Sequence, residues 1–186
     1  MSVNAPNDNL NWLAPDFKLL SVNDKYYTLD DLKGKNGTVI AFICNHCPYV
    51  IGIAKRFVNE SIELDRIGVS TIAIMSNDVN SYPEDSFENM KVFAKKNNFN
   101  FEYLYDSTQE VAKNYNAVCT PDFFGFNKNM ELQYRGRLDS SGKEVINNGG
   151  NRELYNAMKE ISITDCGPKD QFASIGCSIK WKNNND

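Results

Sequence analysis

The sequence predicts an α/β domain with a mixed central sheet and helices on both faces, built as a single domain over residues 1–186. Three observations carry this. Apolar, β-branched runs alternate with amphipathic stretches between residues 38 and 115, the pattern of parallel strands joined by helical crossovers. An antiparallel hairpin pattern follows, which makes the sheet mixed. The chain has 186 residues, 41% of them hydrophobic, enough for one full-sized core.

The elements follow in order. Residues 1–14 read as an N-terminal arm, polar and Asn-rich at its start. Residues 17–20 and 26–29 alternate around Asn23-Asp24, which predicts an N-terminal β-hairpin extension. Residues 38–44 form a near-continuous apolar run, as expected of a strand buried on both faces. A helix is expected over 48–67, with Val50, Ala54, Phe57, Ser61 and Leu64 on one face and Ile53, Val58 and Ile62 widening the stripe. Residues 69–75 read as the next buried strand. Asp85, with Glu88 three residues on, has the form of a capping box and opens a helix to about residue 97. A strand over 101–105 and a helix over 107–115, capped by Ser107, come next. Residues 122–126 and 132–137 pair around Asn127-Lys128-Asn129. Gly149-Gly150 punctuates a loop, a helix covers 151–161, and 163–186 form an irregular C-terminal tail holding Cys166 and Cys177.

Composition narrows the function classes. Charged residues make up 24% of the chain and the net charge is −4, with no basic patch. Nucleic acid and anionic membrane surfaces are therefore not expected partners. The N-terminus lacks a basic n-region and an apolar h-region, and no run approaches the roughly 18 apolar residues of a membrane span. These features lead to the expectation of a cytoplasmic protein. Five cysteines are an odd number in a chain too large to need disulfide stapling. In a reducing compartment such cysteines are redox-active or metal-binding more often than structural.

Cys44-Asn45-His46-Cys47 sits where the apolar run ends and the helix beginning at Pro48 starts. A helix N-terminus offers unpaired N–H groups and partial positive charge, which stabilise a thiolate. Two thiols at this spacing can close a small disulfide ring. The pair reads as a redox dithiol, with Cys44 as nucleophile of lowered pKa and Cys47 as resolving thiol. His46, the only histidine, would favour the thiolate as a cation, or would be a solvated loop residue.

Cys119 is either a third thiol near Cys44 or a small apolar residue under the loop. Cys177, on a tail more apolar than disorder requires, either packs or delivers a further resolving thiol. Cys166 reads as a free thiol. Arg135 and Arg137 alternate along a strand, as on a solvated face, or hold a carboxylate or peroxide near the dithiol. Cys44, His46, Cys47 and Cys119 are soft ligands for zinc, copper(I) or an iron–sulfur cluster, but no second CxxC or HxxxH completes a standard set. The expectation is no metal and no cofactor.

Ala14-Pro15-Asp16-Phe17, Phe42-Ile43-Cys44, Cys47-Pro48 and Thr120-Pro121 resemble the thioredoxin-fold redoxins of the AhpC/TSA-like group. Cys44-Asn45-His46-Cys47-Pro48-Tyr49-Val50, Ser76-Asn77-Asp78, Tyr82-Pro83-Glu84-Asp85-Ser86, Cys119-Thr120-Pro121-Asp122-Phe123-Phe124, Tyr134-Arg135-Gly136-Arg137 and residues 174–181 are similar to a peroxiredoxin-like subgroup of hypothetical bacterial proteins. The likeness spans roughly residues 12–182. It implies a thioredoxin-like three-layer fold in which a cis-proline, Pro121 after Thr120, faces the dithiol and the backbone before it pairs with an incoming peptide.

The likeness also bears on peroxidase chemistry. Peroxiredoxins carry Pro-x-x-x-Thr-x-x-Cys, but here Cys47 takes the peroxidatic place, Cys44 the threonine place and Ile40 the proline place. The thioredoxin-type dithiol is complete, though Asn-His replaces Gly-Pro between its thiols and Phe-Ile precedes it. The sequence thus predicts a thiol–disulfide oxidoreductase acting on a disulfide-containing protein or small molecule, with a dithiol electron donor. A thiol-dependent peroxidase is the alternative, and a metal-binding or redox-sensing module a further one.

Overall fold

The computed structural model describes residues 2–4, 10–144 and 150–183. Gly149 of the expected Gly149-Gly150 loop lies outside the described residues, as do residues 5–9 of the arm and the end of the tail. The sheet is built from β2 (Lys18–Ser21), β3 (Tyr26–Thr28), β4 (Gly37–Phe42), β5 (Val69–Met75), β6 (Glu102–Tyr105), β8 (Asp122–Phe126) and β9 (Leu132–Gly136). Their spatial order is β3-β2-β6-β5-β4-β8-β9. Strands β4, β5 and β6 run parallel, and the rest pair antiparallel, so the sheet is mixed as expected. A smaller sheet joins β1 (Ser2–Asn4), β10 (Ile175–Ser178) and β7 (Cys119–Thr120), in the order β1-β10-β7.

Strand β4 lies inside the sheet between β5 and β8, and every residue of it is buried. Its period of two sends Val39, Ala41 and Ile43 to one face and Ile40 and Phe42 to the other. The first set packs under α2 (Pro48–Asp65), α3 (Phe87–Lys96) and α5 (Glu153–Thr164) with Phe57, Met90, Tyr103 and Met158. The second joins a cluster with Tyr115, Phe124, Phe126 and Trp12, in which Phe42 meets Phe124, and Trp12 meets Tyr115 and Phe126, edge-on. At roughly 1.5–3 kcal/mol per large apolar side chain buried, this two-sided core fixes where β4 ends and the loop after it begins. Helix α2 starts at Pro48, whose fixed φ and missing N–H suit the first helical position. It ends at Asp65, and Gly68 at φ +76° turns the chain into β5.

Several expectations are corrected. Asp85 does not cap α3; Ser86 does, accepting from the Asn89 N–H, while Asp85 ends a 3-10 turn over Pro83–Asp85 and is fully buried. The turn aims its carboxylate inward, where backbone and side-chain donors wait. The helix over 107–115 is only α4 (Glu110–Asn114), because the Asp106 carboxylate takes the Ala112 N–H and Gln109 sits in the left-handed region. A short helix, α1 (Leu29–Leu32), follows the hairpin, with Thr28 and Asp31 forming the capping box. Ile62 is exposed rather than part of the packed stripe. Arg135 and Arg137 do not lie on a solvated face: Arg135 is buried against Asp122 at 3.0 Å, and Arg137 pairs with Glu153 at 2.6 Å. The arm and the tail are more ordered than expected, since β1 and β10 pair with each other.

Candidate active site

The site is built at the C-terminal end of β4. Ile43 still donates to the Ile74 carbonyl, at 2.9 Å, and then the chain leaves the sheet. Cys44 comes first, Asn45 and His46 bend, and Cys47 is the N-cap of α2. Both cysteines are free and fully buried. They lie close enough for each to shift the other's acidity.

Across from them lies Thr120-Pro121, joined by a cis peptide bond as expected. The Cys44 thiol lies 3.3 Å from the Thr120 hydroxyl, and the Cys47 thiol donates to the Thr120 carbonyl at 3.2 Å. Pro121 also lines a shallow pocket with Tyr49, Ile53, Leu138, Lys143 and Ile175.

The flank beside Cys44 is polar. The Asp85 carboxylate accepts from the Asn45 N–H, His46 Nδ1 and Asn77 Nδ2, each at 2.8 Å. Asn45 in turn accepts from the Tyr103 hydroxyl at 3.0 Å. The His46 ring stacks on Tyr82, with 5.6 Å between centroids. Contacts to Asp85, Tyr103 and Tyr82 therefore fix the Asn45-His46 bend between the thiols.

The flank beside Cys47 is made of backbone and sulfur. Cys177 stands opposite Thr120 in the β10–β7 register and packs beside Cys47, where its thiol and N–H favour charge on the Cys47 sulfur. Cys119 is buried under the same loop, its thiol pointing to the Pro121 carbonyl at 3.6 Å.

These surroundings reverse the expected acidity of the pair. Cys47, not Cys44, occupies the helix N-terminus. Its thiol is pulled well below the usual range, first by the neighbouring Cys44 thiol, then by Cys177 and the Val50 N–H, against the cost of burial. The Val50 group makes no formal side-chain cap bond but is close enough to favour charge. Cys44 is pushed up by the neighbouring Cys47, by burial and by the Asp85 charge. Burial and the Asp122 charge likewise push Cys119 up, so it stays a thiol.

The structure brings together every site residue expected from sequence: Cys44, His46, Cys47, Cys119, Thr120, Pro121 and Cys177. Cys166 is exposed at the end of α5. The roles of Asp85, Asn45, Asn77 and Tyr103 do not follow from the sequence, although Asn77 and Asp85 lie inside motifs conspicuous in it. Sγ of Cys44, the His46 ring and the Asp85 carboxylate place potential ligand atoms within 4.8 Å of one another. A cation there would have to replace the three hydrogen bonds Asp85 already accepts.

Known proteins place this geometry. Over 98% of the chain it is similar to an uncharacterized conserved protein from Geobacillus kaustophilus, at 42% identity and TM-score 0.93, covering 97% of that chain. A hypothetical protein from Sinorhizobium meliloti 1021 matches 96% of the chain at 32% identity and TM-score 0.88, covering 98% of its own length. The thioredoxin domain of a thiol-disulfide oxidoreductase from Bacteroides vulgatus shares the fold, with TM-score 0.64 at 12% identity, covering 84% of this chain and 99% of that one. No curated protein matches the chain. No helix among the described residues is long and apolar enough to cross a membrane. The model of the AhpC/TSA family matches residues 11–135, a stretch that holds both thiols, Asp85 and the Thr120–Pro121 bond. With its thioredoxin-like sheet and its free dithiol at the β4–α2 junction, the chain belongs to the AhpC/TSA family, a redoxin with a thiol redox function.

Proposed function

We propose that the chain is a thiol–disulfide oxidoreductase that works through Cys44 and Cys47, with Cys47 as the attacking sulfur. The observation that carries this is the asymmetry of the pair. The thiolate-stabilising donors converge on Cys47, whereas the buried Asp85 carboxylate disfavours charge on Cys44. The sequence order expected for the roles is therefore exchanged.

The Cys47 thiolate attacks a substrate disulfide, forms one S–S bond to the substrate and releases the other substrate sulfur as thiolate. Cys44 then gives up its proton and attacks the Cys47 sulfur, closing the Cys44–Cys47 disulfide and releasing reduced substrate. A dithiol donor returns the pair to its reduced form by the same exchange in reverse. His46 and Asn45, held by Asp85, position Cys44 for the second step, and Thr120-Pro121 shapes the substrate side. Cys119 stays a thiol beneath the loop.

Trapping tests the assignment. A Cys44→Ser/Cys177→Ser double variant should hold one aryl thiol from an aromatic disulfide on Cys47, assigned by peptide mapping. A Cys47→Ser variant should not label Cys44 at a comparable rate. Fast labelling of Cys44 in Cys47→Ser, with a slow double variant, would restore the opposite order. Rates no faster than free cysteine in both would remove the oxidoreductase reading altogether.

One observation favours a thiol peroxidase as a second reading: the charge-stabilised sulfur is Cys47, which occupies the peroxidatic place of the resembling proteins. In that reaction Cys47 attacks a peroxide oxygen, the O–O bond breaks, and a sulfenic acid forms with release of hydroxide. Dimedone capture at Cys47 after hydrogen peroxide treatment, faster than at Cys166, is the result it requires.

A further inference from the structure

The small sheet puts a segment of the chain's own tail on the edge where a thioredoxin-type fold receives its substrate. Strand β10 pairs antiparallel with β7, Cys177 opposite Thr120 and Ser178 opposite Cys119. Those are the two residues preceding the cis Pro121. The strand is firmly seated. Ser174 Oγ donates to the Gly136 carbonyl at 2.5 Å, Ile179 N to the Val118 carbonyl at 3.0 Å, and Gln109 Nε2 to the Lys180 carbonyl at 2.8 Å. The Lys180 N–H donates at 2.9 Å to Asn77 Oδ1, and the other end of that amide holds Asp85. The tail is therefore wired to both flanks of the dithiol.

Local sequence explains how it comes so close. Gly176 lies against the Thr120–Pro121 peptide, and a Cβ there would overlap the Thr120 carbonyl oxygen. The next residue is Cys177, which stands opposite Thr120, the residue whose carbonyl lies 3.2 Å from the Cys47 sulfur, and which packs against the cluster that holds Cys47. Strand β10 thus presents a cysteine to Cys47 as a docked substrate strand would.

The geometry points to Cys177 as a second intramolecular partner of Cys47, forming a Cys47–Cys177 disulfide in exchange with Cys44–Cys47. This rests on the oxidoreductase reading and extends it from a two-thiol to a three-thiol site. The exchange balances internally. The Cys177 thiolate attacks the Cys47 sulfur of the Cys44–Cys47 disulfide, the old S–S bond breaks, and Cys44 leaves as a thiolate that takes up the proton Cys177 gave away. No net oxidation occurs. When Cys47 instead carries a substrate, the same attack by Cys177 releases the substrate as thiolate, so the tail resolves mixed disulfides alongside Cys44.

The test is disulfide mapping after oxidation of the reduced protein with one equivalent of diamide, which takes up the two electrons as its hydrazine. Free thiols are then alkylated and the peptides mapped by mass spectrometry. In Cys44→Ser, a Cys47–Cys177 link should form at a rate within about tenfold of Cys44–Cys47 formation in Cys177→Ser. In Gly176→Val, which lifts β10 from Thr120 and removes no cysteine, the Cys47–Cys177 link should fall by about tenfold or more while Cys44–Cys47 still forms. If Cys44→Ser leaves Cys177 open to alkylation, or links Cys47 to Cys119 or to a second chain, the inference is overturned. Because that outcome is read from Cys44→Ser, it stands even if Gly176→Val fails to fold. Failure of Cys177→Ser to form Cys44–Cys47 is a different result, and overturns the oxidoreductase reading itself.

Discussion

Cys44 and Cys47 share one loop and both touch Thr120 but face opposite surroundings. The Cys44 flank is built around a buried carboxylate, Asp85, which holds the Asn45-His46 bend and repels charge on the nearby sulfur. The Cys47 flank sets N–H groups of α2 and β10 and the Cys177 thiol, which favour charge, against the Thr120 carbonyl, which takes the proton of the thiol form, and the donors outweigh it. A dithiol's polarity is therefore decided by which flank supplies the donors, not by which cysteine comes first.

The largest expected effect removes the favoured sulfur. Cys47→Ser should bring turnover of a small disulfide, with dithiothreitol as donor, down to the uncatalysed rate. Cys44→Ser/Cys177→Ser should retain the first attack, seen before donor is added as a burst of one released substrate thiol per chain. Equal loss in both variants at the first step would erase the distinction between the flanks.

The acidic flank is tested by Asp85→Asn. Asp85 is buried and accepts three hydrogen bonds, and the amide would turn a donor toward groups that donate. Thermal or urea unfolding should show a loss of about 3 kcal/mol. In the folded variant, the pH midpoint for alkylation of Cys44 should move down, because the charge that raises its pKa is gone. Stability loss without that movement would make Asp85 merely structural.

The donor flank is tested by pH. With its pKa lowered, Cys47 is already ionised at neutral pH, so its alkylation rate should stay level as pH falls from about 8.5 through 7 and drop only below that. Cys44, shifted the other way, should react only as pH rises above about 8.5. Parallel profiles would show that the flanks do not differ.

The smallest effect lies at an exposed pair outside the site. Lys91 pairs with the exposed Asp24 at 2.8 Å, and Lys91→Ala should leave the unfolding midpoint and both alkylation profiles unmoved.

Much of this is legible in the chain. Apolar periodicity locates β4, α2, β5, α3 and the β8–β9 hairpin, because burial of one face writes a spacing into the sequence. Pro48 marks the start of α2, and the CxxC at that junction marks the site. Asp85 reads as a helix cap and is not one, because the sequence pattern of a capping box carries no information about which way a carboxylate turns. Cys177 reads as a tail thiol that either packs or resolves, but its register opposite Thr120 is not legible, because strand pairing across the chain leaves no local spacing.

The sequence by itself determined the sheet, its helices and the two thiols at a helix start, since all of these follow from hydrophobic burial and local backbone chemistry. Only the tertiary structure decided which surroundings each thiol meets and which third cysteine lies on the strand beside them. Both depend on electrostatics and register between segments remote in the chain, where Asp85, Asn77 and β10 converge on one loop.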